Sequence, residues 1–341
     1  MKAVVYRRSV GLVFEEVAKP EVDENEVLIR VSNTGFCGSD HSLVESGLVP
    51  DGYILGHETS GVIEAFGKEV KKLNVGSRVM IRPTFCGKCR HCLDRKPHLC
   101  THNRRTIGVG DLPGGFAEYV KIFSQMVIPI PEGVDSQSAA LVETFASALH
   151  GIKRSGVKAG SSLILGGGPI GLAAVQLAKV LGFFPIALSE PVEAKRSLGK
   201  KFGAHFAINP LSEDLPQKVG EWTQKLGFDL VLECSGVPGN IQLALDAAGK
   251  GGTVCVVSVF FKPVTIDRPL VLFLKELDLT VSASNTHREN YQCLEWLGEK
   301  KLDARAMISD WTSLEGLPGL YRDRIHSGKV TKAMIQIGEE F

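Results

Sequence analysis

The chain has 341 residues, more than one hydrophobic core usually holds, so two domains are expected. Its 44% hydrophobic and 23% charged residues are typical of a folded globular protein and exclude a disordered chain. The net charge is +1, from 39 basic and 38 acidic side chains without a long basic run. This balance argues against a nucleic acid partner or an anionic membrane surface.

No segment is typical of export or of membrane insertion. The first apolar stretch, AVVY, is too short for a secretory signal, and residues 163–188 are interrupted by glycines, prolines and Lys179. We therefore expect a cytoplasmic protein with no membrane partner. Its 8 cysteines would be reduced there, which favours metal binding over disulfides for any cysteine cluster.

The predicted elements change character along the chain. Residues 1 to about 145 contain short β-branched segments such as EVLIRV and GVIEAF, which predict a β-barrel-like domain. From about 160, apolar strands alternate with helices predicted at 170–182, 192–202, 213–226 and 238–248, a rhythm typical of a doubly wound parallel α/β sheet. After about 285 two helices and the strand KAMIQI resemble the first region, so we expect the C-terminus to return to it.

A glycine-rich turn follows the predicted strand SSLIL and precedes a helix. This context favours dinucleotide binding, because glycines let backbone amides approach a pyrophosphate at a helix N-terminus; a tight structural turn is the alternative. At the end of the next strand, Glu190 is where a carboxylate would bind a ribose diol and repel the 2′-phosphate of NADP, so we predict NAD. Lys195 is either a secondary contact to the ribose or an exposed helix lysine. The residues of the turn assigned to the cofactor are Gly166, Gly168, Pro169, Ile170 and Gly171.

Four cysteines lie close together in CGKCRHCLDRKPHLC. Four thiolates satisfy tetrahedral zinc without another ligand, so this spacing predicts a closed structural zinc site. The alternatives are two disulfides, which a reducing compartment disfavours, or an iron–sulfur cluster, whose usual motif has a different last spacing. The predicted ligands are Cys86, Cys89, Cys92 and Cys100.

Further ligand-type residues are scattered along the chain: Cys37 in GFCGSD, His57 and Glu58 in LGHE, and Glu143 in LVETF. Each of these alone would more often be an ordinary residue. Together with the glycine motif and the cysteines, they resemble the zinc-containing medium-chain dehydrogenase/reductase family. The resemblance covers the whole chain, from GFCGSD to KAMIQI, and is closest in motif to the sorbitol and sugar-acid dehydrogenase branch.

The resemblance implies a Rossmann sheet inserted in a chaperonin-10-like, β-rich catalytic domain, with a reactive zinc in the cleft. It implies a catalytic domain over 1–147 with the structural zinc lobe at 86–100, an NAD-binding domain over 148–286, and a C-terminal return over 287–341. A homodimer or homotetramer, joined near residues 253–285, is also implied. The apolar segment FFKPVTIDRPLVLF would serve this interface or form a buried core strand.

The resemblance also implies roles for the scattered residues. Cys37 and His57 match zinc ligands, and either Glu58 or Glu143 would bind the zinc directly or through its water; the sequence does not rank them. A carboxylate at Glu143 is typical of polyol, sugar and threonine branches. Asp40 resembles the carboxylate that orients the histidine ligand. Two zinc ions per chain are therefore expected, one catalytic and one structural.

The implied mechanism uses zinc as a Lewis acid on an alcohol whose hydride passes to the nicotinamide. Ser39 matches the hydroxyl that takes the alcohol proton, although it would also suit a helix cap. The family's next relay histidine is absent, since that position is Ser42, and His41 lies one residue earlier. On a helix this offset turns a side chain by about 100 degrees, so the relay is either His41 or water.

These features predict a zinc- and NAD-dependent dehydrogenase that converts a secondary alcohol of a polyol, sugar or sugar acid to a ketone. The alternatives are a threonine-type amino alcohol or simple alcohol as substrate. A different class is an inactive protein that binds NAD and zinc. A zinc-ribbon protein for nucleic acids would need a basic face that the net charge does not suggest.

Overall fold

Two units share the 341 residues described by this computed structural model. The first consists of Met1–Glu143 and Tyr291–Phe341, and the second of Thr144–Asn290. The boundaries implied by the family resemblance, at 147/148 and 286/287, stay predictions of where the functional domains divide. No helix in the chain combines the length and the apolar character that crossing a membrane requires.

The secondary structure follows the chain in three stretches. The first elements are β1 (Lys2–Arg7), β2 (Gly11–Glu16), β3 (Glu26–Phe36), α1 (Gly38–Ser46), β4 (Tyr53–Ile54), β5 (Glu58–Phe66), β6 (Arg78–Ile81), α2 (Arg90–Leu93), β7 (Tyr119–Phe123), β8 (Val127–Pro129), α3 (Ser136–Ala140) and α4 (Val142–Arg154). The next elements are β9 (Ser162–Leu165), α5 (Pro169–Val180), β10 (Ile186–Ser189), α6 (Glu193–Phe202), β11 (Phe206–Ile208), α7 (Leu215–Trp222), β12 (Phe228–Glu233), α8 (Asn240–Ala247), β13 (Ala248–Val256), α9 (Leu270–Lys275), β14 (Asp278–Val281) and α10 (His287–Gly298). The last elements are β15 (Asp310–Thr312), α11 (Leu317–Leu320), a π-helical turn (Tyr321–Ile325) and β16 (Ala333–Gln336).

Strand β3 organises the first unit. It pairs with β5 along one edge, and along the other edge with β7 near its start and β16 near its end. Because neighbours lie on both edges and packed side chains on both faces, Val27, Leu28 and Ile29 are all buried. The C-terminal strand β16 is therefore part of the same seven-stranded sheet as β3.

The second unit contains one parallel sheet of six strands in the order β11-β10-β9-β12-β13-β14. The chain fills one half of the sheet from β9 outward and then crosses to fill the other half from β12. Ligands of such doubly wound sheets bind at the carboxyl ends of the strands where the order reverses, here between β9 and β12. The predicted fold class, a Rossmann sheet inserted in a β-rich domain, is confirmed.

Two local predictions differ from the structure. The helix predicted over 213–226 ends at Trp222, because Gln224 and Lys225 adopt left-handed backbone angles of φ 52 and 67, which no helix accommodates. The apolar segment from 260 to 273 is not a buried core strand, since Phe261 is 67% and Phe273 is 82% exposed. Its last part begins helix α9.

Candidate active site

Strand register brings distant ligand-type residues to one end of the sheet in the first unit. Gly35 of β3 lies opposite Glu58, the first residue of β5. On the other edge, Phe36 of β3 lies opposite Ala333, the first residue of β16. The residues that adjoin these pairs, Cys37, His57 and Lys332, therefore meet at the same end of the sheet.

The side chains of Cys37, His57 and Glu58 converge there. One ligand atom from each, a thiol sulfur, an imidazole nitrogen and a carboxylate oxygen, lies within 4.8 Å of the other two. Sulfur, imidazole and carboxylate are the ligand types that zinc takes in proteins. The donor set and its spacing therefore fit a zinc ion.

Asp40 connects the segments that carry these ligands. Its carboxylate is fully buried, and it accepts hydrogen bonds from the backbone amides of Cys37 at 2.9 Å and Gly56 at 3.2 Å. The same carboxylate lies 3.4 Å from Nδ1 of His57. Since Asp40 is the third residue of α1, the first turn of this helix fixes the relative positions of Cys37 and His57. The orienting role of Asp40 toward a bound metal stays a prediction.

Lys332 was not among the predicted site residues. Its side chain is fully buried, and Nζ donates to both carboxylate oxygens of Glu58 at 2.7 Å and to the carbonyl of Phe36 at 3.2 Å. The only local signal in the sequence is a lysine directly before a buried apolar strand. Its partner lies 274 residues earlier, a separation that no local motif spans.

Gly35 makes room for this ion pair. A Cβ atom at that position would lie 2.1 Å from Oε2 of Glu58, far inside contact distance. The glycine therefore lets the carboxylate lie against the backbone of β3 while both of its oxygens face the ammonium group.

Acidic groups outnumber basic ones around the ligands. Burial would lower the pKa of Lys332, but the charges of Glu58, Cys37 and Glu143 outweigh it and raise that pKa above its usual value. Burial would likewise lower the pKa of His57, but Asp40 and Cys37 raise it well above its usual value. A divalent cation neutralises such an excess of negative charge, which supports the same fit to zinc.

The other residues predicted for catalysis lie at different distances from this cluster. The hydroxyl of Ser39 is 3.4 Å from Nε2 of His57, beside the candidate ligands. Glu143 is half-buried in the first turn of α4 and is not one of the group of three, although its charge acts on Lys332. His41 Nδ1 lies 3.1 Å from the hydroxyl of Tyr321.

The four predicted lobe cysteines form a second candidate metal centre, and every one of them is a free thiol. Their sulfur atoms all lie within 4.8 Å of one another, and the closest pairs are separated by 3.5 to 3.9 Å. Two sulfurs bound to tetrahedral zinc at about 2.3 Å lie roughly 3.8 Å apart, so the spacing fits zinc. Amides of Cys92 and Thr101 donate to the sulfur of Cys89 and lower its pKa to about 5, whereas burial and Cys89 raise the pKa of Cys92 to about 12.

The glycine-rich turn of the second unit joins β9 to α5. Gly166 has a left-handed φ of +97, and a Cβ atom at Gly171 would lie 1.8 Å from the carbonyl oxygen of Gly166. A Cβ atom at Gly168, the residue that caps α5, would meet only open space, so the backbone amides there are accessible to an anion. Pro169 and Ile170 begin the helix. This cradle fits a cofactor pyrophosphate.

Glu190 follows β10 and is 6% exposed. Its carboxylate accepts hydrogen bonds from the amide of Gly167 at 2.7 Å and the amide of Val192 at 2.8 Å. The side chain therefore lies against the glycine-rich turn, where a ribose diol is expected. Lys195 is half-buried in the first turn of α6, and its contact to the ribose stays a prediction.

Comparisons with known proteins agree with this arrangement. Residues 23–132 match the alcohol dehydrogenase GroES-like domain, and residues 169–299 match the zinc-binding dehydrogenase family. Sorbitol dehydrogenase of Bacillus subtilis is 31% identical over 324 residues, covering 92% of this chain and 91% of that protein. L-Threonine 3-dehydrogenase of Bacillus velezensis is 36% identical over 275 residues, covering 78% and 79%. A solved structure of a putative zinc-binding dehydrogenase from Sinorhizobium meliloti, bound to NADP, has a TM-score of 0.90 and 31% identity over 98% of both chains.

Fold, ligand set and glycine-rich cradle together define an oxidoreductase that uses zinc and a nicotinamide cofactor. The chain belongs to the zinc-binding alcohol and polyol dehydrogenase family. The predicted family and its dehydrogenase activity are thereby confirmed. The relatives include both sorbitol and threonine dehydrogenases, so the family does not itself select the substrate.

Proposed function

We propose that this chain oxidises a secondary alcohol of a polyol, sugar or sugar acid to a ketone, with NAD as the hydride acceptor. The convergence of Cys37, His57 and Glu58 beside the hydroxyl of Ser39 carries this proposal. When bound to these residues, zinc supplies the Lewis acidity that lowers the pKa of an alcohol. Glu143 is a further acidic candidate for the same ion.

The protein's own residues would orient the alcohol and remove its proton. Ser39 would accept the proton of the alcohol while it passes its own hydroxyl proton on, because its hydroxyl lies 3.4 Å from Nε2 of His57, beside the candidate ligands. From Ser39 we propose that the proton leaves to water. The hydrogen bond between His41 and Tyr321 supports this choice, because it occupies Nδ1 of His41 with a partner outside the candidate active site. Substitution of His41 by alanine should leave kcat and its pH profile unchanged, whereas Ser39→Ala should lower kcat by about 10²- to 10⁴-fold.

Glu190 supports NAD as the cofactor. A carboxylate against the glycine-rich turn repels the phosphate that distinguishes NADP. The relative from Sinorhizobium meliloti is bound to NADP, so the choice needs a direct test. Glu190→Ala should lower kcat/KM for NAD by roughly 10- to 100-fold, the loss expected for hydrogen bonds to a charged group. A wild-type preference for NADP that Glu190→Ala leaves unchanged would overturn the assignment.

We propose that the four lobe cysteines bind a second, structural zinc ion. All four positions that tetrahedral zinc needs are filled by sulfur, so this site has no open position for a substrate. Metal analysis should therefore find two zinc ions per chain. A single zinc confined to the lobe, with no turnover of any alcohol, would favour an inactive binding protein instead.

The substrate is tested by measuring NADH formation with a panel of polyols, aldonates, inositols and amino alcohols. The proposal expects the highest kcat/KM with a polyol, sugar or sugar acid. The sorbitol dehydrogenase match, which extends over 92% of the chain, supports this expectation. Threonine as the best substrate would instead favour the alternative, in agreement with the relative from Bacillus velezensis.

We propose that two copies of the chain pair through the outer strand of the second unit. Strand β14 is at the edge of its sheet and pairs only with β13. Its Leu279 and Val281 are 43% and 61% exposed, and Phe273 of the neighbouring helix α9 is 82% exposed. An uncovered apolar edge of this kind suits pairing with a second copy. Val281→Lys should shift the protein toward the monomer in analytical ultracentrifugation, and an unchanged sedimentation coefficient would contradict the proposal.

A further inference from the structure

A third group of ligand-type side chains combines two residues of helix α1 with one from the C-terminal part of the first unit. His41 and Glu45 are four residues apart, so they project from the same face of this helix. They face His326, which directly follows the π-helical turn. One ring nitrogen of each histidine and one carboxylate oxygen of Glu45 lie within 4.8 Å of one another. None of these three residues belongs to the candidate active site or the cysteine lobe.

The spacing of this group fits a tetrahedral transition metal. Nδ1 of His326 lies 3.4 Å from Oε1 of Glu45. Two ligand atoms that are each about 2.1 Å from a tetrahedral ion lie about 3.4 Å apart. Two imidazoles with one carboxylate suit zinc and its neighbours in the transition series, while calcium and magnesium prefer oxygen ligands alone.

Tyr321 fixes the orientation and the proton of His41. Its hydroxyl donates to Oε1 of Glu45 at 2.9 Å and lies 3.1 Å from Nδ1 of His41. The hydroxyl has one proton, and it donates that proton to Glu45. It therefore accepts from His41, which places that proton on Nδ1 and leaves the lone pair of Nε2 for a ligand. Imidazoles that bind metals usually have their other nitrogen held in this way.

The group is open to solvent. The side chains of His326 and Glu45 are 55% and 47% exposed. They line a surface cavity of about 400 Å³, together with Tyr6, Val44 and Tyr321. An ion can therefore enter without unfolding the chain, and water can complete its coordination.

We propose that His41, Glu45 and His326 bind a divalent transition ion, with Zn²⁺ as the ion tested. The ion links α1 to the end of the π-helical turn. Helix α1 also carries Ser39 and Asp40 in its first turn, so occupancy of the surface site restrains the helix that supports the active site. The inference does not depend on which alcohol the enzyme oxidises.

The test is a titration of the zinc-loaded enzyme with Zn²⁺, measured by equilibrium dialysis with elemental analysis. Wild-type protein should bind one zinc ion beyond its resident zinc. His326→Ala and Glu45→Gln should each weaken this extra binding by at least about 10- to 100-fold, the loss seen when even a supporting group of a metal site is removed. Asp323→Asn is the matched control, because it removes an exposed carboxylate from the same π-helical turn and should leave binding unchanged.

Thermal unfolding provides a second measurement. Added Zn²⁺ should raise Tm of the wild type and of Asp323→Asn, because a ligand stabilises the folded state that binds it, and should not raise Tm of His326→Ala. The proposal is overturned if the wild type binds no extra zinc, or if His326→Ala binds it as tightly as the wild type. Because resident zinc is counted separately, neither result depends on the outcome of the substrate panel.

Discussion

The cysteine lobe and the Cys37 site, which consists of Cys37, His57 and Glu58, both bring metal-ligating side chains together. They differ in how far apart these residues lie in the sequence. The lobe takes its four thiols from residues 86 to 100, and backbone amides are the main groups that stabilise charge on Cys89. The Cys37 site takes its residues from the ends of three strands, and a fully buried lysine balances its carboxylate. A local loop can therefore form the first site, whereas the second requires the complete sheet.

The largest expected effect is on stability, and it comes from breaking the buried ion pair between Lys332 and Glu58, which the cysteine lobe lacks. Lys332→Met should lower the free energy of unfolding by about 3–5 kcal/mol, because it removes the buried ammonium group that neutralises the carboxylate of Glu58. Urea denaturation measures this effect. The double variant Lys332→Met/Glu58→Gln should recover most of the loss, and an equal loss in the double variant would show that the charge pair is not its cause.

Removing one ligand of the Cys37 site should abolish its zinc binding and leave the zinc of the cysteine lobe in place. Cys37→Ser should lower kcat by about 10²- to 10³-fold, equivalent to the several kcal/mol that a Lewis acid provides, and should reduce the zinc content from two ions to one. Cys255→Ser is the control, since Cys255 is a buried cysteine outside both groups. Unchanged zinc content in Cys37→Ser would contradict the assignment of this ligand.

The lobe should respond to acid in a defined direction. Zinc binds thiolates, and the hydrogen bonds that Cys89 accepts from the amides of Cys92 and Thr101 lower its pKa and so favour that form. Protons compete with the metal for sulfur, so the lobe should keep its zinc at pH 7 and release it as the pH falls. A zinc-sensitive dye measures the release. Release that increases as the pH rises would contradict thiolate ligation.

The smallest effect is expected at a carboxylate outside both metal sites. Glu289 is buried, and although burial raises its pKa, His150, whose Nδ1 lies 3.6 Å away, and hydrogen bonds from Thr286 lower it to about 2. Its contribution to stability is therefore complete above its usual pKa of 4.5 and is lost as the pH falls toward 2. Glu289→Gln should lower stability by about 1–2 kcal/mol at pH 7 and by less at pH 3. Equal losses at both pH values in urea denaturation would contradict the ionised role.

The features that the sequence predicted correctly are mostly local. The parallel α/β sheet follows from alternating apolar strands and helices, and the grouping of the four lobe cysteines follows from their spacing. Lys332 could not be found in this way, because its role depends on the pairing of β16 with β3. Helix α7 was predicted too long because its apolar periodicity continues past Trp222, while the backbone angles of Gln224 and Lys225 end the helix there.

The partnership of Glu58 with Lys332 also has a consequence for synthesis. The ribosome adds Lys332 274 residues after Glu58. At 5–20 residues per second this takes roughly 14–55 s, during which the nascent carboxylate has no lysine to neutralise it. That carboxylate must therefore stay hydrated until β16 pairs with β3, because burial of an unneutralised charge is costly. The seven-stranded sheet of the first unit, which contains β16, is therefore completed only after almost the whole chain has been synthesised.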